Sequence, residues 1–150
     1  MTRGVKKLLA LLVIVVAVWL GLEQGPDFRD ADDTITAPSG AGNRVAEAFE
    51  ARDSGKQVTG SGVVARILAD DNDGSRHQRF ILRLGSGQTV LVAHNIDVAP
   101  RVAGLKTGDN VSFSGEYEWN ARGGVVHWTH HDPDGSHFAG WLKHGGRTYQ

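Results

Sequence analysis

Five segments of alternating apolar and polar residues, separated by turn sequences, constrain the fold of this chain most strongly. They cover residues 57–68, 76–84, 88–95, 110–120 and 125–132. A period of two places successive side chains on opposite faces of a strand, so each segment predicts a strand with one buried face. In residues 110–120, Val111, Phe113 and Tyr117 fall on one face, and Glu116 and Glu118 fall on the other. The sequence therefore predicts a mainly β protein.

The order of these segments favours one architecture. Only the connection between the third and fourth strands, residues 96–109, is long enough for a short helix or turn, and Pro100 lies within it. Glycines in the first strand suit strong bending. The order predicts a five-stranded OB-like Greek-key barrel, with a β-sandwich or roll as the alternative.

Two further segments are expected to accompany the barrel. Residues 43–56 predict a short helix before it, with Asn43 as the N-cap and Gly55 as the stop. The glycine-rich tail, residues 134–150, is expected to pack over one end of the barrel. Four apolar side chains would make that contact: Phe138, Trp141, Leu142 and Tyr149.

The N-terminal residues 1–22 have the composition of an export signal. Lys6 and Lys7 precede an unbroken apolar run over residues 8–20. Because the basic flank stays in the cytoplasm, the rest of the chain is expected in the periplasm or another extracytoplasmic compartment. An uncleaved transmembrane anchor over residues 5–22, held in the inner membrane, is favoured over a cleaved signal peptide or a buried helix. Residues 23–42 read as a flexible tether, and residues 43–150 as the barrel domain with its histidine-rich C-terminal hairpin and tail.

Charge and cysteine content limit the partners of this domain. All 17 acidic residues follow Leu22, whereas three of the 16 basic residues precede it, so the exported part is net negative. That balance does not support nucleic-acid binding, which relies on a basic surface. Arg66, Arg79, Arg83 and Arg122, together with Trp119 or Trp128, still permit a local surface that binds an oligonucleotide or oligosaccharide. The chain has no cysteine and hence no disulfide partner.

Four stretches of the sequence resemble a known bacterial family. They read HNIDVAPRV from residue 94, GEYEWN from 115, GGVVHWTHHDP from 123 and GWLKHGG from 140. Together they resemble the family of domain of unknown function 3465, whose hallmark HWTH motif matches residues 127–130. The resemblance covers roughly residues 56–150. It implies a small exported bacterial protein, and it implies no activity for any residue.

Histidines are concentrated near the C-terminus, where five of the seven lie between residues 127 and 144. Imidazole binds zinc, copper and nickel well, and a carboxylate can complete such a site. The sequence therefore predicts a transition-metal site from five residues: His127, His130, His131, Asp132 and His137. A continuous strand would separate His127 from His131, so the chain has to bend at residues 130–133 or the tail has to return. His94 and His144 are further candidates if it does.

A second interpretation is acid–base catalysis. Glu116, Glu118 and His127 lie on two strands of one hairpin, where a carboxylate beside an imidazole can fix its tautomer and prepare a general base. Combined with a metal, these residues would suit a phosphodiesterase or nuclease acting on nucleic acid. Three other possibilities remain open: a ligand-binding module, a scaffold with hydrogen-bonded histidines, and a haem or metal chaperone.

Overall fold

The computed structural model describes residues 41–150, and side chains from residue 44 onward. The predicted anchor and most of the predicted tether lie outside the described residues. Within the described range, no helix is both long enough and apolar enough to cross a membrane. Its one helix, α1 (Ala41–Ala51), begins two residues inside the predicted tether and ends four residues before Gly55. The predicted short helix before the barrel is thus confirmed with shifted boundaries.

Seven strands follow α1. They are β1 (Lys56–Ile67), β2 (His77–Leu84), β3 (Thr89–Asn95), β4 (Asn110–Glu118), β5 (Val125–His127), β6 (Trp141–His144) and β7 (Arg147–Tyr149). The first five pair in the order β1-β2-β3-β5-β4, and β4 pairs back to β1 to close a barrel. Only the β3–β5 pair is parallel. This is the OB order, so the predicted five-stranded barrel is confirmed.

The long first strand closes the barrel because it bends and pairs on both sides. Its first half pairs with β4 and its second half with β2, and the β2 register shifts between Val64 and Arg66. A β-bulge of this kind bends a strand and increases its twist. Gly60 allows the close approach of β4, since a Cβ there would lie 2.7 Å from Cζ of Phe113. The predicted bending of this strand is thus present, but its register shift is at Val64/Arg66 and not at a glycine.

The barrel interior is filled by the apolar face of each strand. Phe80, Leu82, Val92, Phe113 and Tyr117 are all fully buried there. The Tyr117 hydroxyl satisfies its buried position by donating to the Gly123 carbonyl at 3.1 Å. On α1, Val45 and Ala48 join the same core. The predicted helix or turn over residues 96–109 contains no helix and consists of turns.

The C-terminal part differs most from the sequence prediction. The predicted fifth strand, residues 125–132, ends at His127. Trp128 has a backbone φ of 51°, which is left-handed and cannot continue an extended strand. The chain then loops through residues 128–140 and returns as β6, which pairs with Ser112–Ser114 of β4 beyond the end of β5.

The tail packs on the barrel largely as expected. Leu142 and Tyr149 are buried members of the main core. Trp141 is half-buried, with the Lys143 ammonium 4.5 Å from its ring centre. Phe138 is 74% exposed, so its predicted packing contact is wrong. It lies in the loop before β6 and not in the paired strand.

Candidate functional site

The strand register brings two carboxylates and one imidazole to the outer face of the barrel. Glu116 of β4 lies directly opposite His127 of β5, and Glu118 lies opposite Val125. Tyr117, between the two glutamates, points into the core and is fully buried. Alternation therefore places Glu116 and Glu118 together on the outside. The prediction that a carboxylate and His127 would be cross-strand neighbours is confirmed.

These three side chains form a compact donor group, which we call the triad. One ligand atom from each of Glu116, Glu118 and His127 lies within 4.8 Å of the others. His127 Nε2 is 3.7 Å from Glu116 Oε1, which is too long for a hydrogen bond. This Nε2 atom is buried and has no hydrogen-bond partner. Among residues 41–150, no other set of three histidine, aspartate or glutamate side chains is as close.

The charges of the triad fit a neutral imidazole beside two acids. Burial lowers the pKa of His127 to about 3, so its ring is neutral at physiological pH and makes no ion pair with Glu116. Burial also raises the pKa of Glu116. The negative charge of Glu118 adds to that rise, while His137 opposes it. Glu116 and His127 are thus both poorly hydrated. The neutral imidazole of His127 has a lone pair that could bind a cation.

The loop of residues 128–140 packs its aromatic rings beside the triad. The Trp128 indole stacks on the His137 ring with centroids 4.1 Å apart, and His130 meets the indole edge-on at 5.7 Å. The Trp128 ring also lies 5.4 Å from the His127 ring, tilted by 42°. His130 and His137 also contact each other edge-to-face at 5.1 Å. The loop thereby gathers three of the predicted histidines around one tryptophan.

Backbone carbonyls fix the tautomers of two of these histidines. His130 Nδ1 lies 2.6 Å from the carbonyl of His131, and His137 Nδ1 lies 2.7 Å from the carbonyl of Phe138. A carbonyl oxygen can only accept, so each Nδ1 carries the proton and each Nε2 is left with a lone pair in the neutral ring. The Nε2 atom of His130 is buried and has no hydrogen-bond partner.

Asp132 holds the turn at the tip of this loop. Its carboxylate accepts hydrogen bonds from the amides of Asp134 and His137 and from the Ser136 hydroxyl. Burial by itself would raise the pKa of Asp132, but these hydrogen bonds and the nearby His137 ring outweigh it and lower the pKa. His131, by contrast, is exposed. The structure therefore places His127 in the triad and His130, Asp132 and His137 in the adjoining loop, and it leaves His131 exposed.

The two more distant histidines have structural partners. His94 is fully buried, with Nδ1 2.8 Å from the Thr129 hydroxyl and Nε2 3.0 Å from the Pro100 carbonyl. Both of its nitrogens are satisfied, and burial lowers its pKa to about 4. His144 Nε2 lies 2.8 Å from Asp109 Oδ2 and ties β6 to the turn before β4. Neither residue contributes to the triad.

The residues considered for nucleic-acid or sugar binding have different surroundings. The Trp119 indole donates to the Phe49 carbonyl at 3.1 Å and packs against the core. Arg79 is buried and donates from Nε to the Ala69 carbonyl. Arg66 and Arg83 are exposed. The Trp119 side chain thus helps to pack α1 against the core.

The fold and the triad define an OB-type barrel with an imidazole–carboxylate cluster on its outer face. The chain belongs to the family described as protein of unknown function (DUF3465), whose sequence profile matches residues 33–150. No curated protein matches the chain. Family membership confirms the resemblance carried by the HWTH motif, and it extends the matched region upstream of the barrel.

Proposed function

We propose that this protein binds a divalent transition metal, Zn²⁺ in the first instance, through Glu116, Glu118 and His127. One observation carries the proposal: a buried His127 Nε2 without a hydrogen-bond partner, next to two carboxylates. A buried polar atom left unpaired costs about 1–3 kcal/mol. A cation bound there would use the lone pair of the imidazole and neutralise the repulsion between the acids.

The donor set favours a transition metal over Mg²⁺ or Ca²⁺. Those two ions prefer oxygen ligands alone, whereas zinc, copper and nickel accept imidazole nitrogen together with carboxylate oxygen. The 3.7 Å separation between His127 Nε2 and Glu116 Oε1 is close to what a shared ion requires. Zinc–nitrogen and zinc–oxygen bonds are about 2.0–2.2 Å, so the two atoms need to approach by only a few tenths of an ångström.

Three protein donors also favour a second candidate function, metal-dependent hydrolysis. A tetrahedral ion held by the triad keeps one position for water or substrate, which is the arrangement of catalytic rather than structural zinc sites. A water bound there would have a lowered pKa and could attack a phosphodiester. Glu116 and Glu118 would then be ligands and His127 would not act as a general base.

Metal content of the full chain, purified without a histidine tag, tests the first proposal. After dialysis against trace Zn²⁺, elemental analysis and calorimetric titration compare wild type with Glu116→Gln, Glu118→Gln and His127→Gln. We expect each change to weaken Zn²⁺ binding about 100-fold or more, since each removes a direct ligand. Glu50→Gln, on the exposed side of α1, is the matched control and should bind like wild type. Equal Zn²⁺ affinity in all four variants would exclude the triad as the site.

Hydrolysis is tested separately on the loaded protein. Bis-(p-nitrophenyl) phosphate and a single-stranded oligonucleotide are supplied with Zn²⁺ or Mn²⁺, and turnover is compared with that of Glu118→Gln. Turnover that disappears in the variant supports the phosphodiesterase. Stoichiometric metal without turnover supports a metal-carrying or structural role instead.

We also propose that the barrel works outside the cytoplasm, held at the inner membrane by residues 5–22. The basic flank and the apolar run over residues 8–20 support this. Alkaline phosphatase fused after Gln150 tests it, because that enzyme needs disulfides that form only in an oxidising compartment. Active fusion in the membrane fraction is expected, and an inactive fusion would contradict export.

A further inference from the structure

The loop of residues 128–140 contains three potential metal ligands that are not part of the triad. We propose that His130, His137 and Asp132 form a second transition-metal site, separate from the one proposed above. Two imidazoles with one carboxylate are a donor set suited to zinc, copper, nickel or ferrous iron. Three features of the loop support it: the state of the two imidazoles, their burial, and the distance between His137 and the carboxylate of Asp132.

The first observation is that both rings are prepared as ligands. The carbonyls of His131 and Phe138 fix the Nδ1 protons, so the coordinating lone pair of each ring is on Nε2. A histidine that binds metal through one nitrogen ordinarily donates a hydrogen bond from the other, and a backbone carbonyl is a common acceptor. His130 and His137 have this arrangement before any ion is considered.

The second observation is an unsatisfied nitrogen in a buried setting. His130 is 5% exposed, and its Nε2 atom is buried without a hydrogen-bond partner. Its ring meets that of His137 at 88° with centroids 5.1 Å apart. The two rings are thus already neighbours in a part of the loop where a free polar atom is unfavourable.

The third observation is the gap between His137 and Asp132. His137 Nε2 lies 3.8 Å from Asp132 Oδ1, and both side chains are almost fully buried, at 4% and 5% exposed. A hydrogen bond does not span that gap, and the proton of His137 is on its other nitrogen. A zinc ion about 2.1 Å from each atom does span it, with a contraction of about 0.4 Å for tetrahedral geometry.

This loop site differs from the triad in the spacing of its donors. Its donors are more widely spaced, since only the triad has three ligand atoms within 4.8 Å in residues 41–150. Side chains of the loop therefore have to draw together when the ion binds. The Trp128 ring is close to both sites, stacked on the His137 ring and 5.4 Å from the His127 ring, so its emission can report on a bound ion.

Zn²⁺ stoichiometry of the full, tag-free chain separates the two sites. We expect two equivalents in wild type, one in the double variant Glu116→Gln/Glu118→Gln and one in His130→Gln/His137→Gln. His131→Gln, which changes the exposed histidine of the same loop, is the matched control and should keep two. Far-UV circular dichroism checks that each variant is folded.

The outcomes distinguish this inference from the proposed function. One wild-type equivalent that is lost only in the glutamate double variant overturns the loop site and leaves the triad site standing. One equivalent that is lost only in the histidine double variant overturns the triad site and leaves the loop site standing. One equivalent lost in both variants means a single shared site, which overturns the second site, and no metal in wild type overturns both.

Fluorescence supplies a test that leaves the three candidate ligands of the loop intact. Cu²⁺ quenches a nearby indole, so in Glu116→Gln/Glu118→Gln it should remove the emission of Trp128 at about one equivalent. Adding Trp128→Phe to that background is the control, and most of the quenching should disappear although three tryptophans remain. Unchanged emission on adding Cu²⁺, or quenching that persists without Trp128, would overturn the loop site.

Discussion

His94 and His127 are both buried histidines on neighbouring strands, yet their surroundings differ. Each nitrogen of His94 has a hydrogen-bond partner, Thr129 on one side and Pro100 on the other. His127 has a buried Nε2 with no partner and a carboxylate 3.7 Å away. Burial alone is thus a poor guide to function in a histidine-rich chain. The hydrogen bonds that a ring lacks are more informative than the ring's position.

The largest expected effect is a loss of stability at acid pH, because burial lowers the pKa of both rings. The pKa is about 4 for His94 and about 3 for His127, against 6.5 in the unfolded chain. Between those values the unfolded state binds more protons, so stability is complete above about pH 6.5 and falls as pH decreases. Below about pH 6.5, and down to its own pKa in the folded protein, each ring lowers the free energy of unfolding by about 1.4 kcal/mol per pH unit. For a domain of ordinary stability, unfolding is therefore expected by about pH 4.

Urea unfolding at pH 7.5, 5.5 and 4.5, with a chelator present, measures this loss. The variant His94→Leu/His127→Leu is the matched control, and its stability should depend much less on pH over the same range. Wild-type stability that stays constant from pH 7.5 to 4.5 would show that neither ring is held neutral by burial.

Replacing each histidine by leucine makes the comparison direct. His94→Leu leaves the Thr129 hydroxyl and the Pro100 carbonyl without partners in the core, and it should cost about 2–4 kcal/mol. His127→Leu removes a polar atom that has no partner, and it should stay within about 1 kcal/mol of wild type in the absence of metal. Chemical denaturation with a chelator measures both. Equal losses in the two variants would contradict the distinction between a satisfied and an unsatisfied ring.

A smaller effect is expected from Thr129→Val, which makes His94 resemble His127. Valine has the shape of threonine but leaves His94 Nδ1 without a partner in a fully buried position. The expected loss of stability is about 1–2 kcal/mol. Thermal unfolding measures it, and Thr148→Val on an exposed strand position is the control. No loss beyond that control would mean that the His94–Thr129 bond contributes little.

The sequence predicted the barrel because its strands follow simple alternation. Phe113 and Tyr117 point inward and Glu116 outward in β4, as their spacing indicates. The hairpin also predicted a carboxylate beside His127, but it did not identify that carboxylate as Glu116. Its register could not be read from the sequence, since one residue of slip exchanges the two faces.

The loop could not be predicted, because its shape depends on one unusual backbone position. Trp128 is a bulky residue with φ of 51°, and nothing in the HWTH string signals a left-handed turn there. Reading residues 125–132 as one strand placed His130 and His131 wrongly. Gly140 gives a signal only in three dimensions, since a Cβ there would lie 2.1 Å from the Trp128 carbonyl oxygen. That close contact brings the end of the loop back against its start.

The shared edge of β4 has a consequence for truncated chains. β5 covers one half of that edge and β6 the other, and β6 is held by β7, which ends at Tyr149. A chain that lacks residues 141–149 has half of the β4 edge unpaired. Such an edge can pair with another chain. The barrel edge is therefore complete only when residues 141–149 pair, and a product truncated before them would be prone to aggregation.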